Sequence, residues 1–210
     1  MGTIFLTGPK HCGKTSAGKA LARLYSCDFI DLDDVILQIT GKSPRQLYNE
    51  DPEIFKKAEV DALAHITGDQ PARVENMPGS TGLCLRVVAA GGGIIDNQEA
   101  IAGLNKYIPG NCQRQPNPQA MTNAVVYLNI SAAAAWDRIS GSGNAELPPF
   151  LKTENPHEAH RALHERRCAA YLQNANIVIE AGEKTPDEIA VEIMRNLCQL
   201  NINHSIGILQ

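Results

Sequence analysis

A three-layer α/β sandwich, with helices on both faces of a five-stranded parallel sheet, is the fold predicted by three observations. Five short runs rich in apolar and β-branched residues are separated by amphipathic stretches of helical period. The runs lack polar alternation, as strands covered on both faces do. The length, 210 residues, suits one domain that buries roughly 70% of its unfolded surface.

The first strand is read at 3–7 (TIFLT), stopped by Gly8-Pro9, and the first helix at 14–25. A second strand at 28–32 (DFIDL) precedes a short helix at 33–39 closed by Gly41 and a longer one at 52–66. The third strand, 85–90 (LRVVAA), runs into Gly91-Gly92-Gly93; the fourth, 124–130 (AVVYLNI), leads to a helix at 132–139; the fifth, 177–180, precedes a helix at 186–200. Three stretches dense in turn formers, 69–82, 109–123 and 140–156, read as surface loops, and the last as a lid. The whole chain, 1–210, reads as one domain whose substrate-binding helical region covers about 33–66.

A net charge of −4 and a pI near 5.9 exclude a broad electrostatic grip on nucleic acid or acidic lipid, so a small-molecule partner is expected. No apolar run reaches the roughly 18 to 20 residues of a membrane helix, and no basic stretch leads into an apolar one at the N-terminus. A cytoplasmic monomer is expected. The cysteines at 12, 27, 84, 112, 168 and 198 form no CxxC pair, a pattern that suits reduced thiols.

Between the first strand and the first helix, Gly8-Pro-Lys-His-Cys-Gly13-Lys14-Thr15-Ser16 satisfies GxxxxGK[ST] in the strand–loop–helix context that the pattern requires. Glycines let the backbone wrap phosphates, N–H groups and the helix N-terminus face the negative charge, Lys14 reaches the terminal phosphates, and the Thr15 hydroxyl suits magnesium. The fold is therefore expected to be of the phosphate-loop nucleotide-binding type. Guanine readers carry NKxD, whereas Asn105-Lys106-Tyr107-Ile108 lacks the Asp. Motor and transporter ATPases carry a magnesium-binding acid after an apolar strand, but LRVVAA runs into glycines and AVVYLN ends in Asn129. The acids that do follow a strand, Asp31, Asp33 and Asp34, point to a small-molecule kinase. Helix capping competes for Asp31 and Asp33, while Asp34 is read as the cap or as solvated. His157, His160 and His164 share a helix face but read as solvated, and Trp136 reads as packing near the base site.

Taken together, the phosphate loop at 8–15, FIDLD at 29–33, Phe55-Lys56-Lys57-Ala58-Glu59, Ala90-Gly91-Gly92-Gly93, Val125-Val126-Tyr127-Leu128, and Arg167 four residues before Tyr171 resemble the shikimate kinase family over nearly the whole chain. The resemblance implies ATP- and magnesium-dependent phosphorylation of the 3-hydroxyl of shikimate, in aromatic amino-acid biosynthesis. It implies that Asp31 helps hold magnesium, and that Asp33 binds the substrate hydroxyls and positions or deprotonates the attacking one. It further implies that Gly91, Gly92 and Gly93 bring backbone to the ring, that Lys56 and Arg167 pair with the carboxylate, and that Arg138 stacks on adenine under a loop at 182–186. Two departures stand out. The arginine of the family's FRxxE is Lys56, and the lid reads Leu147-Pro148-Pro149-Phe150-Leu151 with only Lys152 as a cation. A gluconate-type or other polyol kinase and a non-catalytic nucleotide-binding protein remain open as alternatives.

Overall fold

The computed structural model describes residues 2–68, 85–106, 123–141 and 151–207. The predicted loop at 69–82, all of 109–123 but Asn123, and positions 142–150 of the predicted lid lie outside them.

Five strands, β1 (Gly2–Thr7), β2 (Asp28–Asp31), β3 (Leu85–Ala89), β4 (Ala124–Asn129) and β5 (Ile177–Glu180), form one sheet in the order β2-β3-β1-β4-β5, every pair parallel. The complete burial of β1 follows from its central position: all six residues are buried, with Ile4 and Leu6 facing one layer and Phe5 the other. The two edge strands depart from the expectation of apolar runs covered on both faces. In β5 burial alternates and Val178 is exposed, and β2 is only partly covered. An edge strand has a neighbour on one side only, so its outer residues meet solvent.

One layer is built from α1 (Lys14–Tyr25) and α8 (Pro186–Gly207), which close over Ile4, Leu6, Val87 and Val126. The other is built from α2 (Leu32–Thr40), α4 (Pro52–Thr67) and α5 (Gln98–Asn105) around Phe5, Val88 and Val125. Each fully buried Leu, Ile or Phe side chain contributes about 1.5–3 kcal/mol relative to exposure. A third pair, α6 (Ala132–Ser140) and α7 (Pro156–Gln173), packs beyond β4 and flanks the segment read as the lid.

Two helices escaped the sequence reading. One is α3 (Pro44–Glu50), whose start is a capping box in which the Ser43 side chain accepts from the Gln46 N–H and the Gln46 side chain answers the Ser43 N–H, with Pro44 at the first position. The other is α5, capped by Asn97, whose side chain accepts from the Ala100 N–H. Among the described residues no helix is long and apolar enough to cross a membrane.

Candidate active site

The carboxyl ends of β1, β2 and β3 open into one cleft of about 880 Å³. Its floor is the phosphate loop. Gly8 holds φ +141°, and a Cβ there would lie 2.7 Å from the Leu128 carbonyl oxygen, so only glycine lets the loop leave β1 along this path. Gly13 caps α1 without a side-chain bond, which leaves the first N–H groups of that helix open toward the cleft wall formed by Gly13, Lys14, Thr15 and Ser16. The Lys14 ammonium donates to the Gly8 and Pro9 carbonyls, both at 2.8 Å, and reaches the Cys12 Sγ at 3.6 Å. A cation is thus held at the centre of the loop. Cys12 itself is fully buried.

Asp31 serves two purposes, one with each oxygen. Oδ1 accepts from the Asp33 N–H at 3.2 Å, which makes Asp31 the cap of α2 in place of Asp34. The correction has a backbone cause: Asp31 is still extended (φ −94°, ψ 125°), as a capping residue must be, while Asp34 is already inside the first helical turn. Oδ2 accepts the Thr15 hydroxyl at 3.0 Å. A hydroxyl and a carboxylate, both hard oxygen donors, therefore meet at the end of the phosphate loop, a donor set that suits a magnesium ion keeping several of its waters. Among the described residues no group of three or more His, Cys, Asp or Glu side chains is arranged to hold a metal.

Asp33 lines the cleft two residues on. Burial, then the nearby Asp31 charge, pushes its carboxyl above the ordinary value, with Lys14 and Lys10 pulling the other way. The glycine triplet forms the opposite wall. A Cβ on Gly92 would come within 3.0 Å of the Lys10 backbone nitrogen, so the turn after β3 backs directly onto the phosphate loop. Arg167, on α7, donates through Nε and Nη2 to Asp96 Oδ2 at 2.9 and 2.6 Å and through Nη1 to the Gly92 carbonyl at 3.3 Å. The Tyr171 hydroxyl donates to the same carbonyl, and its ring stacks on Tyr127 at 4.9 Å. The triplet is in this way fastened to α7.

Two residues named by the resemblance stand outside the cleft. Lys56 is half-exposed and donates to Glu53 at 2.7 Å; its neighbour Phe55 lines the cleft instead. Arg138 donates to the carbonyls of His11 at 3.2 Å and Gly182 at 2.6 Å, so it bridges the phosphate loop and the turn after β5.

Several contributors were not singled out from sequence. Lys10, Arg45, Tyr48 and Arg166 line the cleft, and Asp96 both lines it and holds Arg166 at 3.1 Å along with Arg167. Glu59, quoted only as part of a motif, is 1% exposed; its Oε2 accepts from Asn97 Nδ2 at 3.1 Å, and its Oε1, without a hydrogen-bond partner among the described residues, lies 3.2 Å from where a Gly91 Cβ would stand. Burial pushes its carboxyl up to about 7. A lone Glu between Ala58 and Val60 on the core-facing side of a helix was the available signal. The histidine row also differs from expectation. His160 is buried and sits 5.5 Å from Trp136, with His157 at 5.1 Å, because α6 and α7 pack through these rings.

Comparison with known proteins agrees with this architecture. The shikimate kinase family model matches residues 10–198. The chain is 32% identical over 193 residues to the shikimate kinase of Marinomonas sp., covering 91% of this chain and 89% of that one, and 28% identical over 198 residues to that of Prochlorococcus marinus, covering 94% and 86%. Among solved structures, the shikimate kinase from Acinetobacter baumannii in complex with shikimate superposes with a TM-score of 0.72 at 24% identity over 95% of this chain and 94% of that one. A gluconokinase from Sinorhizobium meliloti shares the fold at a TM-score of 0.52 and 17% identity, over 98% and 97% of the two chains. With the family model spanning nearly all of it, the chain belongs to the shikimate kinase family.

Proposed function

We propose that this protein transfers the γ-phosphate of ATP to a hydroxyl of shikimate. The observation that carries the reading is the union in one cleft of the phosphate loop with its Lys14 cation, the Thr15–Asp31 oxygen pair, and Asp33 facing the glycine triplet. Phosphoryl transfer asks a protein mainly to position groups and neutralise charge, and this cleft contains the parts for both.

Lys14 and the open N–H groups of α1 hold the β- and γ-phosphates. Thr15 and Asp31 would hold Mg2+, which supplies positive charge to the phosphate oxygens when bound. Asp33 aligns the acceptor hydroxyl and takes its proton as the oxygen bonds to the γ-phosphorus and the bond to the β–γ bridging oxygen breaks, leaving ADP. A carboxyl whose affinity for protons is raised by burial is suited to that task. The backbone of Gly91, Gly92 and Gly93 lets the acceptor ring approach closely, and Arg167, aimed by Asp96, contributes charge on that side. Arg138 stands by the base.

A coupled assay of ADP release across shikimate, gluconate and a neutral polyol tests the reading. Release stimulated by shikimate over the others is expected. Stimulation by gluconate or by the polyol alone would transfer the assignment to the corresponding kinase class, and tight nucleotide binding with no stimulation by any acceptor would mark a non-catalytic protein.

A further inference from the structure

The turn that follows the glycine triplet ends in a carboxylate. Ile94–Asp96 form a 3-10 turn in which the Asp96 N–H donates to the Gly93 carbonyl at 2.9 Å, and Asn97 then caps α5, so the backbone fixes Asp96 from both sides. Its Oδ2 accepts from Arg167 Nε at 2.9 Å, from Arg167 Nη2 at 2.6 Å and from Arg166 Nη2 at 3.1 Å. One acid oxygen thus serves two arginines of α7. All three residues line the cleft.

The contact with Arg167 is the sheltered one. The Arg167 and Asp96 side chains are 16% and 28% exposed, against 62% for Arg166, so water and salt screen the inner pair less than the outer one. Arg167 Nη2 also stands 3.6 Å from where a Gly93 Cβ would lie, and Nη1 donates to the Gly92 carbonyl, so the pair sits at the wall assigned above to the acceptor. An acceptor's carboxylate drawn to this guanidinium meets a carboxylate already bound to it. Part of the cation's attraction is cancelled before any ligand arrives, and two carboxylates at one guanidinium repel each other. Transfer at Lys14 and Asp33 does not itself call for a negative charge at this place.

We propose that Asp96 is a specificity-determining residue: acting through Arg167, its charge lowers the preference of the cleft for an acidic acceptor over a neutral one of the same shape. The inference rests on the shikimate-phosphorylating reading and deepens it. As a hydrogen-bond acceptor Asp96 aims the guanidinium, and as a charge it competes for it. The two roles separate in Asp96→Asn, whose amide oxygen still accepts from Arg167 while the charge is gone.

Calorimetric binding of shikimate and of its neutral carboxamide, without nucleotide, tests the proposal. Asp96→Asn should bind the acid about tenfold more tightly than the parent does and the amide about equally, so that the acid-to-amide ratio rises about tenfold. In an Arg167→Met background the same substitution should leave the ratio unchanged, because the cation through which Asp96 acts is gone. Asp96→Glu, which keeps the charge, should stay near the parental ratio, and thermal unfolding checks that each variant keeps the fold. A ratio unmoved or lowered by Asp96→Asn overturns the inference while leaving phosphorylation of shikimate standing. A rise of equal size in the Arg167→Met background overturns it as well, since a general field and not this contact would then be at work. A parent that binds gluconate and not shikimate overturns the shikimate assignment, and gluconate with its amide then decides Asp96 by the same ratio. Binding of neither acid by the parent and by Asp96→Asn alike overturns both.

Discussion

The Tyr171 hydroxyl on α7 and the Gly92 carbonyl after β3, 79 positions apart, are joined by a hydrogen bond, and this bond fastens one wall of the cleft to the helix that follows the lid segment. Tyr171→Phe keeps the buried ring on Tyr127 and removes only the donor, leaving Arg167 as the carbonyl's other partner. The expected cost is about 1–2 kcal/mol of stability. With the triplet assigned to the acceptor, as proposed above, the acceptor KM should rise several-fold with ATP KM unchanged. Equal rises in both would mean that the bond is merely structural.

In the proposed mechanism Asp33 sets the acid limb of the pH profile. Its carboxyl is shifted upward, chiefly by burial and then by Asp31, so protonation should disable it at a pH above the usual aspartate range. The acceptor kcat/KM is expected to fall as pH drops through that value, and Asp33→Asn should lower kcat by about a hundredfold or more while abolishing that limb. A variant with near-parental turnover would remove Asp33 from the proton-accepting role.

Glu59 ties stability to pH. Its folded carboxyl titrates at about 7 against an ordinary 4.5, so the folded state holds the proton more tightly than the unfolded one. The associated stability is fully present below about pH 4.5 and is lost as pH rises through about 7, on the order of 3 kcal/mol in all. Glu59→Gln should therefore leave Tm near parental at pH 4.5 and raise it by about 5 °C or more at pH 8. Calorimetric scans across that window check the sign, and a variant less stable at pH 8 would contradict the burial argument.

How far the sequence was legible depended on how local each determinant is. The phosphate loop is contiguous, so its spacing alone carried the strand–loop–helix context, and β5 and α1 were read with their observed limits. Side-chain direction was not readable in this way. Lys56 occupies the motif's basic position, but Glu53 one helical turn earlier captures its ammonium. The role of Asp31 as cap depends on where the backbone turns helical, which three acids within four positions cannot specify. Lys10 and Arg45 lie 35 positions apart and line one cleft only because β1 and the helices after β2 open on the same end of the sheet. Strand edges were equally hidden, since covered and uncovered apolar runs look alike until the order β2-β3-β1-β4-β5 is known.

The central claim, phosphoryl transfer to shikimate at the Lys14–Asp33 cleft, is tested most directly by identifying the product. Parent protein with ATP, Mg2+ and shikimate should yield one phosphomonoester of shikimate per ADP, seen by phosphorus NMR and mass spectrometry. Lys14→Ala, with its circular dichroism unchanged, should lower that yield by about a hundredfold or more, because the cation proposed to meet the γ-phosphate is gone. ADP formed without phosphorylated shikimate, or a Lys14→Ala protein that makes the product at near-parental rate, would contradict the account.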